Sequence, residues 1–275
     1  MAVFANTQLF LGANLRSATE VARLLDVLEG ESDFPPTRWG AAQGLRDPYD
    51  RKAILAAIEG AGEEGMVPSI KRTKPPFRYE ITWYGSDHVD GLFALDVMVS
   101  DGIEPALVPA WLTFIDRLAS IFVVDWGHVD IFVAGQVPRT RMSSSGSNDH
   151  LDYYWRFGLS TLFARNYFGP RLLEIAPQLA PTVNALALPH ERLGSGCMRV
   201  DLVSSPWTAD PVQLKEAQAS IQVALSAATG LFAREREDSW KALPGIQWQS
   251  PTAEAFDRLK KTLRLPASSS GGTAR

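Results

Sequence analysis

Few residues in this chain are placed to do chemistry. There are four histidines, His88, His128, His150 and His190, and none stands in a metal-holding spacing such as His-Glu-x-x-His on one helix face. His88 with Asp90, and His150 with Asp152, share loops in the manner of a general base and its orienting carboxylate. Polar loops also bring His and Asp together without function. The one cysteine, Cys197, follows Gly194-Ser195-Gly196 and lies near His190. A thiol nucleophile needs a neighbouring base and a lowered pKa, and with no signature around it a buried structural thiol is the simpler reading. The glycines there are too few for a dinucleotide loop, and no Gly-Lys-Ser/Thr phosphate loop occurs. The sequence therefore predicts no catalytic residue, no metal and no cofactor. The enzyme alternative is a hydrolase using His88 with Asp90, or Cys197 with His190.

Charge is the stronger signal. Between Glu80 and Asp130 stand nine acidic residues, Glu80, Asp87, Asp90, Asp96, Asp101, Glu104, Asp116, Asp125 and Asp130, against the single basic Arg117. Trp, Phe, Val, Ile and Leu fill the rest of this stretch, so the carboxylates belong to folded structure. A rigid acidic face attracts a cationic partner and repels nucleic acid and anionic membrane. Asp87, Asp90, Asp101, Glu104, Asp125 and Asp130 fall in loops or at element ends and are the expected exposed members. Trp126 is expected to be partly exposed among them as an apolar anchor, since exposed Trp is typical of binding hot spots. Trp83 and Trp111 fall at apolar phases and are expected in the core. The basic residues Lys71, Arg72, Lys74 and Arg78 sit beside this acidic region, a poor footprint for nucleic acid.

Alternation of Phe77, Tyr79, Ile81 and Trp83 with Arg78, Glu80 and Thr82 predicts a half-buried strand over 77–84. A hairpin loop over 85–91 leads to a second strand at 92–99. A helix over 104–122 carries Leu107, Trp111, Phe114, Ile115, Leu118 and Phe122 inward, and a third strand follows at 129–133. Upstream, 7–11 reads as a strand. Ser17-Ala18-Thr19-Glu20 is a capping box before Val21, Leu24, Leu25 and Leu28. Asp47-Pro48 reads as the cap and first residue of a second helix. Downstream, 150–167 reads as helix, 183–188 and 198–203 as strands, and 214–228 and 254–263 as helices. The fold class is α+β, with antiparallel strands and helices packed on one face.

The linker candidate, 142–148, divides the chain into an N-terminal half, 1–141, and a C-terminal half, 149–265, before a small polar tail at 266–275. Residues 1–137 carry 11 basic and 19 acidic residues, net −8, and residues 138–275 carry 16 and 12, net +4. The order of elements leaves room for two similar halves, although no residue-level repeat accompanies it. The N-terminus has neither a basic n-region nor a long apolar core, no run reaches the length of a membrane span, and one cysteine permits no internal disulfide. The expectation is cytoplasmic.

Arg38-Trp39-Gly40, Arg46-Asp47-Pro48-Tyr49-Asp50-Arg51, the run Lys71-Arg72-Thr73-Lys74-Pro75-Pro76, and Asn166-Tyr167-Phe168-Gly169-Pro170 together resemble bacterial immunity proteins of polymorphic toxin systems. The nearest group is the α+β immunity family encoded beside restriction-endonuclease-fold toxins of type VI secretion. The resemblance implies a cytoplasmic, non-catalytic protein whose partner is a cognate toxin with a basic surface. It carries over no individual binding residue. A third reading is an accessory adaptor of a secretion locus.

Overall fold

The computed structural model describes residues 3–30, 34–40, 47–61, 68–73, 78–85, 93–99, 102–133, 162–175, 177–205 and 216–217. Its centre is one ten-stranded antiparallel sheet. In chain order the strands are β1 (Val3–Leu11), β2 (Arg38–Gly40), β3 (Asp47–Pro48), β4 (Ser69–Arg72), β5 (Tyr79–Gly85), β6 (Phe93–Val99), β7 (Val124–Val133), β8 (Arg165–Phe168), β9 (His190–Arg192) and β10 (Met198–Asp201). Across the sheet the order is β3-β2-β4-β5-β6-β1-β7-β8-β10-β9. Strands from 1–141 and from 149–265 thus share a single sheet, joined where β7 pairs with β8. The fold is α+β, as the alternating and helical periods predict.

Helices α1 (Ala18–Gly30), α2 (Arg51–Gly60) and α3 (Val108–Ile121) supply the inner layer. Their period-3.6 stripes bury Val21, Leu24, Leu25 and Leu28 on α1, and Trp111, Phe114, Ile115 and Leu118 on α3. These pack on Leu9, Leu11, Tyr79, Ile81, Trp83, Leu95 and Val97 in one core. Tyr79, Ile81 and Trp83 share the inner face of β5, as their alternation predicts, and Phe77 lies outside the described residues. A short 3-10 turn, Pro105–Leu107, precedes α3. The prolines at 105 and 109 fall in first turns, where the missing N–H has no intrahelical partner to lose.

Several elements differ from expectation. Asp47-Pro48 is the edge strand β3, not a helix start, and α2 begins at Arg51. Its cap is Asp50, whose carboxylate accepts from the Ala53 N–H at 3.1 Å, while the Tyr49 N–H is drawn into pairing with the Thr37 carbonyl. Arg38-Trp39-Gly40 is likewise strand. Residues 165–167 end the stretch read as helix, yet with Phe168 they form β8, inserted between β7 and β10 with all four residues buried. The stretch 183–188 is no strand. Val183 lies in helix α5 (Leu179–Ala185) with Leu179 one turn before it, both buried, and Pro181 sits among the first positions of that helix. Strand β7 starts five residues earlier than expected, because β1 pairs along its full length with a register shift at Phe10/Leu11. The linker 142–148, the helices read at 254–263 and over most of 214–228, and the tail lie outside the described residues.

Gly169 joins β8 to helix α4 (Pro170–Ile175). Its N–H donates to the Asp125 carbonyl at 3.0 Å. A Cβ there would fall on the Val124 carbonyl oxygen and 2.8 Å from Asp125 Cα, both backbone atoms. We expect Gly169→Ala to cost about 1–3 kcal/mol, the range for forced overpacking. Urea denaturation measures it, and an unchanged midpoint would mean that the α4 entry gives way without strain.

Candidate functional site

Of the residues expected on an exposed acidic face, Asp87, Asp90 and Asp101 lie outside the described residues, as do His88, His150 and Asp152. Glu104 is exposed, at the start of the turn before α3. The other three are a correction: Asp125, Trp126 and Asp130 are 0%, 1% and 6% exposed. They lie within β7, a central strand flanked by β1 and β8 and covered on both faces, and not in an open helix–strand turn. Asp125 is held by the Arg171 guanidinium in a two-bond ion pair. Trp126 packs on Phe10 at 5.5 Å and His128 at 5.0 Å between ring centroids, so it is core and not anchor.

Among the described residues, the Cys197 and His190 pair is not set up for nucleophilic chemistry. Burial pushes the Cys197 thiol up to about 12, so at neutral pH it is protonated. His190 Nδ1 lies 2.8 Å from the Leu188 carbonyl oxygen of its own loop. His128 is buried with neither ring nitrogen hydrogen-bonded, and burial lowers its pKa to about 3. Among the described residues no group of three or more His, Cys, Asp and Glu could hold a metal. No helix among them is long and apolar enough to cross a membrane.

A polar network absent from the sequence reading ties α3 to the C-terminal strands. Arg165 Nη1 and Arg199 Nη1 donate to Asp116 Oδ2 at 2.8 and 2.7 Å, and the Tyr167 hydroxyl donates to Oδ1 at 2.8 Å. Arg165 also grips Asp201 with two bonds of 2.6 and 2.9 Å. Arg199 reaches Glu191 at 2.9 Å. Burial pushes the Asp116 carboxyl up, and Arg165, Arg199 and Tyr167 pull it back down. The partners of Asp116 stand 49 to 83 residues away in sequence, so no local spacing announces them.

The sheet's outer face offers a surface. Its open part lies on β5 and β6: cross-strand pairing carries the row Glu80, Met98 and Asn6 on to buried Asp130, and the row Thr82 and Asp96 on to buried Gln8 and His128. Lys71 pairs with Glu80 at 2.8 Å, and Gln8 Nε2 donates to Asp96 Oδ1 at 2.9 Å. Among these polar groups Met98 is 50% exposed. This apolar side chain, half in water, is bordered by the half-buried carboxylates of Glu80 and Asp96. Its signal was present in the sequence. Glu80 and Thr82 alternate with Tyr79, Ile81 and Trp83, and Asp96 and Met98 alternate with Leu95, Val97 and Val99, so each set shares the face away from the core.

The fold is similar to that of a solved structure, the Pseudomonas aeruginosa T6SS protein PA0821. The TM-score is 0.53 and the identity 14%, over 94% of this chain and 81% of that one. At that identity the likeness is one of fold. No known protein family matches the chain, and no curated protein does.

Proposed function

We propose that this chain is a non-catalytic immunity protein of a type VI secretion locus. It neutralises a cognate toxin in the cytoplasm by direct contact through an acidic surface. The observation that carries the reading is the outer sheet face, where exposed Met98 is bordered by Glu80 and Asp96. Acidic groups around an apolar centre suit a partner with basic side chains and an apolar recess: the charges steer encounter and reject wrong partners, and the buried centre supplies most of the affinity. The fold shared with a T6SS protein supports placing it beside a secretion apparatus. A thiol held protonated near neutral pH and a His128 locked neutral in the core favour binding over hydrolysis.

The test is co-expression with each neighbouring gene product, scored for rescue of growth and for co-purification. Rescue with co-purification supports immunity. Co-purification without any rescue points to an adaptor of the locus. Met98→Lys is expected to weaken toxin binding by about 2 kcal/mol, some thirtyfold in Kd. Stability should move by no more than about 0.5 kcal/mol, since the side chain is on the surface. Equal affinity for Met98→Lys and wild type would remove this face from the interface.

A further inference from the structure

At the far edge of the sheet, three strands from β6, an open cleft of about 680 Å³ lies between β2–β3 and the first turn of α2, with the end of α1 closing it. Trp39 and Tyr49, both half-buried, give it two aromatic walls. Asp47 and Asp50, both exposed, stand on its rim. Glu29 lies deeper. It accepts from the Tyr49 hydroxyl at 2.7 Å and from Arg51 Nη1 at 2.6 Å, and Arg51 also meets Asp26 at 2.6 Å. The guanidinium of Arg51 is thus committed to α1, and it fixes the wall in place without supplying free positive charge. The residues lining the cleft, Glu29, Asp47 and Asp50 against Arg51 and Lys52, carry a net −1.

We propose that this cleft receives a basic side chain, arginine or lysine, from a protein partner. The inference deepens the binding reading above by naming the chemistry of a second contact. Aromatic faces attract a cation through their ring quadrupoles, and the attraction grows as the site excludes water. The rim carboxylates add a charge-assisted hydrogen bond where the ammonium or guanidinium emerges. An acidic or neutral side chain gains neither. Trp39 and Asp47 to Arg51, from two of the segments that carry the sequence resemblance, supply most of this wall, and β3 ends in Pro48, which leaves the edge unsuited to strand addition.

The experiment titrates the whole protein with three capped peptides, tri-arginine, tri-lysine and tri-glutamate, while observing the Trp39 indole N–H resonance, identified as the one lost in Trp39→Phe. Saturable movement of that resonance with either cationic peptide, weakened by salt and absent with tri-glutamate, is the expected result. Asp47→Lys should reduce the apparent affinity by about tenfold or more, because it reverses a rim charge. Asp47 is exposed on a two-residue edge strand, and unmoved resonances of the other tryptophans check that the fold is intact. No movement up to about 10 mM, where even a weak single contact registers, would overturn the proposal. So would equal movement with tri-glutamate, or an undiminished response in Asp47→Lys. Toxin capture separates the two readings: a toxin held by wild type and Asp47→Lys alike removes the cleft and leaves the binding function standing. A failure to capture any neighbour while the peptides still titrate removes the toxin and leaves the cleft.

Discussion

Acid should unfold this protein through His128. Its ring stacks on Phe163 at 3.7 Å between centroids and sits beside Trp126 on the outer face of β7, with Gln8 and Asn166 as its cross-strand neighbours. Neither nitrogen has a hydrogen-bond partner, and burial lowers the pKa from 6.5 to about 3. The folded pKa is depressed, so the unfolded chain binds the proton first. Stability is therefore full above about pH 6.5 and falls as pH drops toward 3, at about 1.4 kcal/mol per pH unit once the unfolded imidazole is charged. Across the whole window this amounts to roughly 4–5 kcal/mol, a large part of the 5–15 kcal/mol that holds a typical domain together. Asp116 and Asp125 act the other way, because burial raises their folded pKa values. The informative quantity is thus the difference between wild type and His128→Leu, which keeps similar volume and cannot titrate. Urea denaturation at a series of pH values should show the two diverging below about pH 6, with the variant the more stable in acid. Near neutral pH the variant should match or exceed wild type, since it also removes a buried polar ring whose nitrogens are unsatisfied. Parallel stability curves would show that the imidazole reaches water or a partner when charged.

Removing the Asp116 carboxylate should cost about 3–5 kcal/mol, because it leaves the guanidiniums of Arg165 and Arg199 without their shared anion. Arg165 has only 5% of its side chain exposed, and Arg199 22%. Arg165 keeps Asp201 and Arg199 keeps Glu191, so the loss falls short of two wholly uncompensated charges. Asp116→Asn retains hydrogen-bonding capacity and should cost less than Asp116→Ala. The exposed pair Arg23–Glu20 is the internal control. Its loss should cost no more than about 1 kcal/mol, as for surface ion pairs generally. Chemical denaturation of Asp116→Ala with a stability loss below about 1 kcal/mol would mean that water replaces the carboxylate and the network is peripheral. The network joins α3 to β8 and β10, so truncation should also loosen the C-terminal strands first, which amide exchange on Arg165–Phe168 and Met198–Asp201 would register.

Much of the inner layer was legible from local pattern. The alternation from Tyr79 to Trp83 and the 3.6-residue stripes of α1 and α3 each announce their element, because a half-buried strand and an amphipathic helix impose different periods on the same apolar residues. The α+β class and the core positions of Trp83 and Trp111 follow from those periods, and the antiparallel pairing of β5 with β6 from the short connection between them. The outward direction of Glu80, Thr82, Asp96 and Met98 follows from the periods as well, although their meeting as one surface needs the β5–β6 register.

What failed is instructive in the same terms. Asp47-Pro48 carries a helix-start signature, yet Asp50 makes the cap, because strand pairing claims the preceding backbone and two candidate caps compete within four residues. Arg165 to Phe168 has no clean period, since a strand buried on both faces shows none. Asp125 and Asp130 read as exposed because a carboxylate ordinarily is. Arg171, 46 residues away, allows Asp125 to be buried, and only the folding of β7 between β1 and β8 makes Trp126 core. The sequence by itself determined the inner-layer helices and strands, the face each turns to the core, and an acidic first half lacking the spacings of known catalytic and metal sites. The tertiary structure alone decided which charges stay in water. Solvation of a carboxylate depends on the side chains brought to it across the sheet, and these are distant in the chain and leave no mark on its local pattern.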